Sequence, residues 1–152
     1  MPVLSKPQWW FDEIVVPNYR DFLGNALSQR HAFNAFVTTY HMWERLYWYY
    51  RETGSPHLGA QSEEQFLKHL SSSSQCPDLE ELRNAANPVK HSYLRAKAKA
   101  FPFYRTEYTS TGQTQVPVVG GSLILPSGRE VNDLLGTVMQ FWTKWLRDHP
   151  DP

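Results

Sequence analysis

Residues 29–52 read QRHAFNAFVTTYHMWERLYWYYRE, and this stretch decides the fold. It contains neither proline nor glycine. Phe33, Phe36, Val37, Tyr40, Tyr47 and Trp48 recur at helical spacing and form one apolar stripe. Met42, Leu46, Tyr49 and Tyr50 form a second stripe on another face. A helix that is apolar on two faces sits at the centre of its domain, or packs on its own domain and on a partner together. The stretch therefore predicts one long central helix. Thr53-Gly54-Ser55-Pro56 ends it.

The flanking segments extend the same reading. Residues 8–28 predict one helix or two short ones, with a break, kink or fresh start at Pro17. Ser62-Glu63-Glu64-Gln65 reads as a capping box opening a short helix that carries Phe66, Leu67 and Leu70. The serine run 71–74 and Gln75 close that helix. Pro77 opens the next one, with Asp78, Glu80 and Glu81 in the first turn, where acids complement the helix dipole. Leu79, Leu82, Ala86 and Val89 are its apolar positions. After Ala100 the composition turns toward β-formers, and Pro126-Ser127-Gly128 is a turn signal between Leu123-Ile124-Leu125 and Glu130-Val131. Asn132 or Asp133 is expected to cap a final helix that buries Leu134, Leu135, Val138, Met139, Trp142, Trp145 and Leu146. The expected fold class is mainly α: a single helical domain over 1–152, with a β-rich insertion at about 101–131 that forms a small antiparallel β-hairpin before the last helix.

Composition bounds function from outside. The 152 residues suit one domain. Fifteen basic residues balance fifteen acidic ones, which argues against a dedicated duplex-DNA binder. Aromatic residues make up 14%, with six tryptophans, more than a core alone needs, and a homodimer interface is expected to take some of them. Cys76 is the only cysteine, so no intrachain disulfide forms and a reducing, cytoplasmic setting is expected. The start MPVLSKPQWW lacks the pattern of a signal peptide. No apolar run approaches the roughly 18 residues of a membrane span.

Phosphate-binding Gly-rich loops, the dinucleotide fingerprint and the G-x-S-x-G elbow are all missing from the sequence, and no cofactor is implied. His41 and Glu44 lie one turn apart. Two ligands are too few for a metal, and they read as a buried polar pair facing His91. His31, His57, His69 and His149 read as surface or loop residues, and Cys76 as unreactive.

The segment Leu82-Arg83-Asn84-Ala85-Ala86-Asn87-Pro88-Val89-Lys90-His91 carries the strongest chemical signal. On a continuous helix Arg83, Asn87 and Lys90 project within about 60° of one another, and His91 about 40° beyond Asn87. Arg83 is suited to hold a phosphate through two hydrogen bonds. His91 is suited to move protons near neutral pH, with Asn87 orienting it and Lys90 adding charge. The same four residue types also make up an ordinary solvated helix face, and Asn87 ahead of Pro88 is a natural helix end. Downstream, Lys90, Arg95, Lys97, Lys99 and Arg105 are interleaved with Tyr93, Phe101, Phe103 and Tyr104, and no acid intervenes. That mixture suits single-stranded nucleic acid, by phosphate contact and base stacking.

This segment resembles the HEPN superfamily of small helical bundles, whose mark is an arginine, often followed by Asn, and then a histidine. Here Arg83-Asn84 is followed by His91 with seven residues between Arg83 and His91, wider than the family's usual spacing. Asn87-Pro88-Val89-Lys90-His91 and His41-Met42-Trp43-Glu44 are similar to motifs of small bacterial proteins of HEPN-like shape. The resemblance implies a dimeric, metal-independent endoribonuclease or RNA-binding domain in a defence or toxin–antitoxin setting, with RNA and an antitoxin as partners. In that reading Arg83, Asn87, Lys90 and His91 are the site, His41 and Glu44 support it, and Arg95, Lys97 and Lys99 bind nucleic acid. The alternative is a non-catalytic dimeric protein-interaction module in which Asn87, Lys90 and His91 form a structural network with His41 and Glu44.

Overall fold

The computed structural model describes residues 5–87, 95–96, 104–109, 112–117 and 123–151. The chain is mainly helical. Its first helical rod has three consecutive pieces: α1 (Pro7–Trp10), a π-helical turn (Phe11–Val15) and α2 (Val16–Gly24). The Val16 N–H donates to the Phe11 carbonyl, five residues back. Pro17 has no N–H to offer the preceding turn, and the wider π turn just ahead of it makes room for its ring. Pro17 thus changes the pitch of the rod without breaking it.

The expected single helix over 29–52 is two helices, α3 (Gln29–Tyr40) and α4 (Met42–Thr53), joined at His41 (φ −66, ψ −4). In an unbroken helix the Thr39 carbonyl would serve Trp43. Here it accepts a buried hydrogen bond of 2.9 Å from Trp142 Nε1 of the last helix. That bond lies beside His41, where the ladder is interrupted. The buried face nevertheless runs through the joint without losing phase: Ala32, Ala35, Phe36, Thr39, Met42, Trp43, Leu46, Tyr47 and Tyr50. Phe33 (38% exposed) and Trp48 (39%) lie off it, so the stripe expected from the large rings alone points partly to solvent. Its place is taken by small residues, Ala32 and Ala35. Gly54, in the left-handed region at φ +66, stops α4, and Ser55 N–H returns to the Tyr50 carbonyl at 2.9 Å.

The capping box of α5 (Glu63–Leu70) forms as the sequence suggests. Gln65 N–H donates to Ser62 Oγ (3.2 Å) and Ser62 N–H to Gln65 Oε1 (2.9 Å). α6 (Asp78–Ala86) follows Pro77 and stops at Asn87, whose extended backbone (φ −98, ψ 95) is what a residue before proline favours.

Among the described residues, two pairs of strands lie between α6 and the last helix. β1 (Arg95–Ala96) pairs antiparallel with β4 (Leu123–Ile124). β2 (Tyr104–Thr109) pairs antiparallel with β3 (Gly112–Pro117), in register from Tyr104↔Pro117 to Thr109↔Gly112. The hairpin expected across Pro126-Ser127-Gly128 does not build a ladder. The turn is there, with Gly128 at φ +88 and its N–H on the Leu125 carbonyl at 2.8 Å. Beyond it only Ile124 and Glu130 pair, because Val131 already begins α7 (Val131–Asp148). Glu130, not Asn132 or Asp133, is the N-cap.

α7 buries Val131, Leu134, Leu135, Val138, Met139, Trp142 and Trp145 against α3 and α6, while Leu146, expected among them, is only partly buried. α3 is the hub, packing also on α2, α4 and the π turn. Among the described residues, no helix is long and apolar enough to cross a membrane.

Candidate functional site

α5 and α6 meet in a groove of about 340 Å³, lined by Glu64, Leu67, Lys68 and Ser71 at α5, by Leu79, Glu80 and Arg83 of α6, and by Tyr40 at the end of α3. Arg83 is exposed and makes no ion pair among the described residues. Lys68 is held by Glu64 one helical turn back, at 3.0 Å, with both side chains largely in solvent. Such a pair contributes little to stability. Tyr40 forms the inner wall. Burial holds its phenol above the ordinary tyrosine value, and Trp43 and the Arg83 charge pull it part of the way back.

The Tyr40 ring also stands edge-on to His41, with centroids 5.6 Å apart. His41 Nδ1 lies 3.2 Å from Glu44 Oε2. The pair is not buried as expected: its side chains are 43% and 39% exposed. The turn between α3 and α4 explains this, because His41 sits at the joint, on the outer side of the buried stripe. A carboxylate on Nδ1 fixes the ring's orientation and leaves Nε2 available for proton transfer. Tyr40 thus shares the groove with Arg83 and touches His41 with its ring.

The four-residue face expected on one helix does not extend past Ala86, where α6 ends. Arg83 lies within the helix, and the half-buried Asn87 is its C-cap. Lys90, His91, Lys97 and Lys99 lie outside the described residues. Arg95 contributes backbone to β1, opposite Ile124.

Two clusters were not evident in the sequence. Arg129, in the loop before α7, grips Asp78 with two nitrogens, reaches Glu81 at 3.2 Å, and donates Nε–H to Asp133 at 2.9 Å. The first-turn acids of α6 thus serve a side chain 48 or more residues away as well as their own helix dipole. Hydrogen bonding to Asp78 first, and to its other acids, raises the Arg129 pKa further, so it stays charged at every accessible pH. The second cluster gathers three histidines read as peripheral. His149 stacks on Trp145 (3.8 Å, 12°), His57 meets His149 edge-on (5.1 Å), and His69 approaches the other side of Trp145 (6.3 Å). Trp145 Nε1 donates to the Tyr50 hydroxyl at 3.2 Å. The only local signal was the spacing of Trp145 and His149, one helical turn apart.

Among the described residues no three His, Cys, Asp or Glu side chains are grouped to hold a metal ion. Cys76 is buried, and burial pushes its thiol up to about 11, which suppresses the reactive thiolate. Comparison of the chain with protein-family models, with curated proteins and with solved structures gave no match.

Proposed function

We propose that this chain is a HEPN-like, cytoplasmic RNA-binding domain that cleaves RNA without a metal ion, working as a homodimer in a defence or toxin–antitoxin setting. The observation that carries the reading is the open groove that exposed Arg83 and Tyr40 line, with His41, paired to Glu44, next to Tyr40 but outside the lining. A phosphate held by Arg83 needs a general acid–base within reach, and the reading gives that role to a histidine. A histidine takes the proton from a ribose 2′-hydroxyl as that oxygen bonds to phosphorus. The bond from phosphorus to the 5′-oxygen breaks, and that oxygen gains a proton. Arg83 neutralises the charge that builds on the phosphoryl oxygens. His91 is the assigned proton carrier, assisted by Asn87 and Lys90, and His41 is the second candidate. Arg95, Lys97 and Lys99 extend the path for the RNA backbone.

The test is RNA cleavage by the purified protein in excess EDTA, beside folded Arg83→Ala, His91→Ala and His41→Ala variants. Cleavage lost with Arg83 and with one of the histidines supports the reading and names the proton carrier. RNA left intact and unbound by the parent protein sinks it.

A second reading has its own observation. Trp9 (50% exposed), Leu23 (51%), Phe33 (38%) and Trp48 (39%) present large apolar side chains to solvent. Large exposed rings suit a dimeric protein-interaction module. The openness of Arg83, His41 and Glu44 weighs against the enclosed polar network that this module would contain.

A further inference from the structure

We propose that a second cleft, between the Ser74–Asp78 turn and the outer face of α7, binds a nucleoside monophosphate, either free or as one unit of an RNA chain. The inference does not depend on the Arg83 groove.

The cleft has a volume of about 390 Å³. That is within the usual range for small-molecule sites, about 300–1,000 Å³. Along α7 it runs from Thr137 to His149. Twelve residues of helix at 1.5 Å each make that about 18 Å, room for an elongated molecule.

The two ends differ in charge. At the Thr137 end lies Asp78, part of a cluster in which three carboxylates (Asp78, Glu81 and Asp133) share the single guanidinium of Arg129. Both Asp78 oxygens accept from Arg129, so this end favours hydrogen-bond donors through the net negative charge of the cluster and the lone pairs that remain. At the other end the Asp148 carboxylate is occupied by Arg147 at 3.0 Å. Lys144, exposed, is the lysine of the lining; its charge and that of Arg147 both act on Asp148, so the two cations outnumber the one carboxylate at this end. His149 gives its Nδ1–H to the Trp145 carbonyl at 2.9 Å, since a carbonyl can only accept, and keeps Nε2 as its remaining polar atom. This end favours an anion.

Between the ends the wall is the half-buried ring of Phe141, flanked by the amides of Gln75 and Gln140. An aromatic wall with amides beside it suits a planar heterocycle whose edge both donates and accepts. A ligand with an anionic group at one end, a flat ring in the middle and donor groups at the far end matches this sequence of features. A nucleoside monophosphate with an amino-bearing base has that order. Phosphate meets Lys144, the base lies on Phe141, and the amino group points toward Asp78.

The experiment is NMR titration of the ¹⁵N-labelled protein with AMP, adenosine, inorganic phosphate and a short oligoadenylate. AMP is expected to shift the Trp145 indole N–H and the Gln140 and Lys144 amides saturably, with a dissociation constant of about 1 mM or tighter. Adenosine and phosphate alone are each expected to bind about tenfold more weakly. Lys144→Ala, on an exposed position, should weaken AMP about tenfold and leave adenosine unchanged. Tighter binding of AMP than of the oligomer identifies a free nucleotide, and the reverse identifies an RNA unit. Absence of saturable shifts at these residues overturns the proposal. So does AMP binding that Lys144→Ala leaves untouched.

Discussion

The two ends of α7 are fastened by opposite means. Its first turn is clamped by charge: Arg129 joins Asp133 on α7 to Asp78 and Glu81 on α6. Its last turns are clamped by rings: Trp142 is fully buried, Trp145 is bonded to Tyr50, and His149 is stacked on Trp145. The charge clamp fixes where a loop sits, since Arg129 follows the Gly128 turn. Its energy depends on every partner staying in place, and salt weakens it. The ring clamp draws on buried area, which salt does not screen and which tolerates small displacements.

The largest effect tests the ring end. Trp142→Ala is expected to cost about 3–5 kcal/mol, from the cavity it leaves. Denaturant unfolding measures it, and a loss below about 1 kcal/mol would break the contrast.

The next test is alkaline. Burial pushes the Tyr50 phenol from its ordinary 10 up to about 12. The folded chain therefore keeps a proton that the unfolded chain gives up. The associated stability is whole below pH 10 and is lost as pH rises from 10 to about 12. The loss should reach about 2–3 kcal/mol, and Tyr50→Phe should flatten that part of the curve. Cys76, raised from 9.0 to about 11, supplies an earlier slope in the same direction.

Arg129→Gln tests the other end. Its guanidinium is only 25% exposed, and the variant leaves its acids repelling one another, at a cost of about 1–2 kcal/mol. In roughly 1 M salt that cost should shrink, while the cost of Trp142→Ala should not. Equal salt dependence at both ends would erase the distinction.

What the sequence disclosed follows the same division between near and far. The capping box at Ser62, the stop at Gly54 and the buried face of α7 were legible, because each is set by residues within a turn or two of one another. The break at His41 was not, and the bond found beside it comes from an indole more than a hundred residues away. The buried stripe of α3 was misread because Ala32 and Ala35 carry little hydrophobic signal, whereas Phe33 carries much. At the candidate site, Arg83 could be chosen by residue type. Its neighbours Tyr40 and Lys68 come from other helices, and no spacing along the chain announces them. The Arg129 cluster was hidden in the same way: two of its acids, Asp78 and Glu81, looked complete as helix-dipole partners.

The bond from Trp142 to Thr39 also has a consequence for the order in which the protein is made. The two residues are 103 positions apart. At ordinary rates of synthesis, the indole leaves the ribosome about 5–20 s after its acceptor. During that interval the Thr39 carbonyl is free to serve Trp43, and the nascent segment is expected to run as one helix through His41. The joint is then a late edit, made when α7 docks. Trp142→Phe, which keeps a ring and removes the N–H, should return that carbonyl to Trp43 for good and slow hydrogen exchange at the Trp43 amide.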